Sequence, residues 1–75
     1  MPRYFFHVEE SAEFRDDHGM ELPDEDAAKR HGVAMLGQVL RDDPRALWAS
    51  DQIRLTATKD DGVVIFTLET TAERA

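Results

Sequence analysis

From Arg3 to Val8 the chain alternates: Tyr4, Phe6 and Val8 fall on one side, Phe5 and His7 on the other. That is the period of a strand with one buried face. A polar connection, Glu9 to Ala12, leads to a short second strand around Glu13-Phe14-Arg15. Asp16-Asp17-His18-Gly19 follows as a turn, and Met20-Glu21-Leu22 leads up to a helix. Pro23-Asp24-Glu25-Asp26 is the helix start, with Asp24 as N-cap and two acids beside the free N–H groups of the first turn. At helical spacing Ala28, Gly32, Met35, Leu36, Val39 and Leu40 form one stripe.

Asp43-Pro44 stops this helix, because the residue before proline is driven out of the helical region. The same pair fits the start of a new turn, so a short helical segment through Arg45, Ala46, Leu47 and Trp48 is expected. Leu47 and Trp48 are expected to close the end of the core, the other reading being an anchor for a partner. Ile53, Leu55 and Ala57 alternate with Arg54, Thr56 and Thr58 as a third strand, and Lys59-Asp60-Asp61-Gly62 is a hairpin loop. Val63 to Leu68 is apolar on both faces over its first four residues, which predicts a central strand with Phe66 and Leu68 toward the helix. Glu69 to Ala75 has no pattern and is expected to fray.

Together these elements predict an α+β fold of ββαββ type. It is an antiparallel sheet of about four strands with the main helix on one face, and residues 1–75 form a single small domain. Composition supports a folded chain: 41% hydrophobic and 33% charged residues with a net charge of −7. The acidic balance disfavours nucleic acid as a partner. There is no cysteine, so no disulfide framework or thiolate metal site is available. No apolar run suggests a secretory signal or a membrane span, and the expected location is cytoplasmic.

The opening Pro2-Arg3-Tyr4-Phe5-Phe6-His7, the turn Asp16-Asp17-His18-Gly19, and Gly19-Met20-Glu21-Leu22-Pro23-Asp24 before the Ala27-Ala28 helix carry a resemblance. The chain resembles a family of short uncharacterised bacterial proteins that open Arg-Tyr-Phe-Phe-His and carry Gly-x-Glu-Leu-Pro-Asp before their helix. The resemblance implies one domain over most of the chain and assigns no residue a role.

Candidate chemistry is sparse. His7, His18 and His31 lie on a strand, a turn and a helix, without the spacing that points two ligands at one ion. The acids from Asp16 to Asp26 lack the alternation of a calcium loop and read as caps and turn residues. Neither Ser11 nor Ser50 sits in a nucleophile elbow, so both read as loop and cap residues. The four glycines form no phosphate loop. The expectation is a protein that is not an enzyme, with no catalytic, cofactor or metal site and no small-molecule ligand.

One helix covers one sheet face, so the other is expected to be an association surface, most simply of a homodimer. Its candidate residues are Phe5, His7, Arg54, Val63 and Ile65, with Thr56, Thr58 and Thr67 around them. They form a single patch if the first and last strands are neighbours. The expected function is therefore a small interaction or regulatory module that binds another protein or itself. The alternative is an antitoxin-like protein neutralising a small basic toxin, because strand, strand and capped helix also resemble the coarse pattern of small acidic antitoxins.

Overall fold

The computed structural model describes residues 1–10 and 12–75, so the loop reading of Ser11 lies outside the described residues. Along the chain run β1 (Arg3–Glu9), β2 (Glu13–Phe14), β3 (Met20–Glu21), α1 (Glu25–Asp42), α2 (Pro44–Ser50), β4 (Gln52–Lys59) and β5 (Val64–Thr71). The α+β fold with its antiparallel sheet and main helix is as the sequence predicts. The sheet order is β2-β1-β4-β5, with β3 also pairing β1. β1 meets β4 along its length, from Tyr4 opposite Lys59 to Glu9 opposite Arg54. Its other side is shared by two strands of two residues each: β2 pairs at Val8 and Glu9, β3 at Arg3 and Tyr4.

Tyr4, Phe6, Val8, Ile53, Leu55 and Ala57 make the buried sheet face, and Ala28 and Leu36 of α1 close over it. The Asp24 carboxylate caps α1 by accepting from Ala27 N at 2.9 Å, and Glu25 and Asp26 add negative charge to the first turn. Gly32 brings the helix close to the sheet: a Cβ there would stand 3.0 Å from the Phe66 ring. α1 therefore rides over β4 and β5.

Four expectations need correction. Met20–Glu21 is a strand, because β2 is too short to cover the Arg3–Tyr4 end of β1. Val63 to Leu68 is not central: β5 is an edge strand beginning at Val64, and β4 separates it from β1. Its apolar look on both faces comes from a bulge, with one extra β5 residue, Ile65, between the pairs Ala57–Phe66 and Thr58–Val64. Glu69 to Thr71 does not fray, since Arg54, Ile53 and Gln52 pair with it. Trp48 is 50% exposed, with the Arg74 guanidinium 5.9 Å from its ring centre, and Leu47 alone of the pair packs on the core. The helical reading of Arg45 to Trp48 holds within α2. That helix ends on Asp51 in the left-handed region at φ 65, a conformation Asp tolerates.

Candidate interaction surface

The two motif regions of the sequence meet along the outer side of β1. Between its pairs with β2 and β3, β1 leaves the Phe6 N–H without a strand partner, and a carboxylate supplies one. Asp16 Oδ2 accepts from Phe6 N at 3.1 Å, while Oδ1 accepts from His18 N at 3.1 Å and Gly19 N at 3.0 Å. Partial burial on its own raises the Asp16 pKa. The N–H groups of Gly19, Phe6 and His18, with His7 nearby, outweigh it and hold the carboxyl below its ordinary range. Asp16 N in turn donates to His7 Nδ1 at 3.0 Å, so the ring hydrogen sits on Nε2, which reaches Thr58 Oγ1 at 3.3 Å. Gly19, at φ +72, fits only as glycine: a Cβ would meet Phe5 Cε2 at 2.8 Å and Tyr4 O at 2.9 Å. Arg3 completes the edge by donating to His18 O at 2.7 Å and to Glu21 Oε1 at 3.3 Å.

The predicted interface residues lie apart from one another more than alternation suggests. Phe5 and His7 are half-buried on the face away from α1. Arg54 is already engaged, its Nη2 standing 2.7 Å from Glu69 Oε1 across β4 and β5. Ile65 is half-buried at the bulge and packs toward the core, and Val63 has left the sheet for the hairpin loop, where its carbonyl accepts from Lys59 N. Val64, 56% exposed, takes the place opposite Thr58. Because β4 intervenes, Phe5 and Val64 are joined only through Thr58, and no broad apolar patch forms.

A second apolar surface lies on the other face, beyond the reach of α1, along β2 and β3. Phe14 stands opposite Val8 and Met20 opposite Tyr4, so both extend the buried face of the sheet beyond the helix. They stay 59% and 42% exposed. A groove of about 300 Å³ runs here between Phe6, Val8, Phe14, Met20, His31 and Met35, with the Phe6 and His31 rings 4.7 Å apart. It continues toward the end of α1 between Val8, Phe14, Met35 and Val39, where Glu10 and Asp43 add acidic groups. Sequence reasoning missed this surface. The available signal was Phe14 itself, a large apolar side chain alone among Glu13, Arg15 and Asp16.

His18 is exposed beside Asp17, and His31 lies against Phe6, so the three histidines remain separate. Among the described residues no three His, Asp or Glu side chains are grouped to hold a metal ion. Ser50 Oγ lies 2.9 Å from Ala46 O and 2.8 Å from Gln52 O, its one proton held between carbonyls at the end of α2. Among the described residues no helix is long and apolar enough to cross a membrane.

These features define a small α+β domain in which Asp16, His7, Arg54 and Ser50 are engaged in internal contacts while Phe14 and Met20 stay exposed beside α1. The chain belongs to the family described as Domain of unknown function (DUF6894), whose model matches residues 3–71. That agrees with the resemblance to an uncharacterised family carried by Arg3–His7 and Gly19–Asp24. No curated protein and no solved structure matches the chain.

Proposed function

We propose that this protein is a cytoplasmic interaction module that binds another protein and carries out no catalysis. The observation that supports this reading is the groove beside α1, which leaves Phe14 and Met20 largely open to water. Exposed apolar surface of that kind, rimmed by polar groups, is characteristic of contact sites. Glu10 and Asp43 at one end, on a chain of net charge −7, favour an apolar segment that also carries basic residues. A non-catalytic role is supported by the engagement of Asp16, His7, Arg54 and Ser50 in internal contacts, which leaves none of them poised as nucleophile or base.

The test is a photo-crosslinking side chain placed at Phe14 in living cells, with the same group at Arg30 on the exposed side of α1 as comparison. One discrete protein adduct is expected from position 14, lost when Met35→Lys is added while the circular dichroism spectrum is kept. Identical adducts from both positions, or none from position 14, would refute the reading. An adduct with a small basic toxin would select the antitoxin-like form of the same proposal, which the acidic end of the groove also favours.

A further inference from the structure

The two edges of the sheet are finished differently. Beside β1, the two short strands and the Asp16 carboxylate leave little for another chain to pair with. At the other edge β5 runs for eight residues, Val64–Thr71, with neither lysine nor proline, and among the described residues nothing pairs with its outer side. Proteins normally blunt such an edge with charge, proline or cover.

We infer that the free edge of β5 pairs antiparallel with the β5 of a second copy, joining two sheets into one across a two-fold axis near Thr67 and Leu68.

The backbone direction is fixed by the contacts at the strand's end. Ala72 N donates to Asp51 O at 3.0 Å, so Thr70, Leu68 and Phe66, counted back by twos, also turn their backbone groups toward β4. Thr67, Glu69 and Thr71 turn theirs outward, where only another strand can take them in register. The occupant follows from self-complementarity. The only ionised side chain of β5 is Glu69, already paired with Arg54, so two copies meet without facing charges unless the axis falls on Glu69 itself. Phe66 and Leu68 are half-buried because the core ends at this edge. Antiparallel pairing sets those two margins side by side and places both α1 helices on one face of a continuous sheet. A domain of 75 residues gains proportionately from such added burial. The surface is separate from the groove, so this inference is independent of the proposed partner.

Light scattering coupled to size exclusion should give twice the 8.5 kDa chain mass at high concentration. Hydrogen exchange should show the Thr67 and Glu69 amides, which turn away from β4 and have no acceptor among the described residues, protected in proportion to dimer. Thr67→Pro removes an outward N–H and no bond of the chain's own ladder, and is expected to be monomeric with its dichroism spectrum retained. A wild-type chain that stays monomeric at millimolar concentration overturns the inference. So does a dimer in which the Thr67 and Glu69 amides exchange freely, a readout that does not depend on the proline variant folding.

Discussion

Asp16 shows how one side chain can finish a sheet. Its two oxygens take three backbone N–H groups, one of them from the middle of β1. Asp16→Asn keeps the shape but turns an amide donor toward one of those N–H groups, and should cost roughly 1–3 kcal/mol by chemical denaturation. Because the folded carboxyl titrates below its ordinary value, its contribution is present above the unfolded pKa of about 3.9 and fades as pH falls through that value toward the lowered one. The stability gap between wild type and variant should therefore be full at pH ~6 and narrow near pH ~3. Gly19 gives a second expectation. Gly19→Ala combines a left-handed backbone with a collision against Phe5 and Tyr4, and should cost roughly 2 kcal/mol or more, whereas Gly62→Ala, at φ +83 in open space, should cost only the backbone penalty of about 1–2 kcal/mol. Thermal melts of the pair check both. The sequence marked Asp16 to Gly19 as a turn. The N–H that Asp16 satisfies became visible only with the pairing of β1, because an unpaired donor is a property of strand order.

Among the elements, α1 was the most legible, since its cap, its stripe and its proline stop all act within a few residues. The two helical glycines then part company in space. Gly37 has nothing within 4 Å of an added Cβ, so Gly37→Ala should stabilise by about 0.5–1 kcal/mol through helix propensity alone. Gly32→Ala would drive a methyl to 3.0 Å from the Phe66 ring and should destabilise despite the same propensity gain. Melting temperatures moving in opposite directions is the expected result. β5 was legible as a strand and illegible as an edge. A bulge brings apolar residues to both faces as effectively as central placement does, and alternation alone cannot separate the two. Trp48 was misplaced for a related reason. Helical spacing gave α2 its existence, but which side of a two-turn helix meets the core depends on the angle at which Asp43 and Asp51 join it to its neighbours.

At the scale of the molecule, the sheet is asymmetric: α1 rides over β4 and β5, leaving the groove on the side of β1 and β2 and the free edge on the side of β5. Beyond the isolated Phe14, neither surface was readable from the sequence, because both depend on which strand lies beside which. Pairing through β5 makes stability a function of concentration: the melting temperature of wild type should climb on concentration, and that of Thr67→Pro should not. The central position of β1 also bears on how the protein is made. β1 is made before the strands it pairs with, yet residues 4–9 are matched to residues 54–59, so the neighbour along its full length is synthesised well after it. At about ten residues per second, Tyr4, Phe6 and Val8 precede their β4 partners by several seconds, with only two-residue strands to pair with in the interval. Isolated pairings of that size are marginal in water. The nascent chain thus carries the future centre of its sheet without its full-length partner until the β4–β5 hairpin arrives.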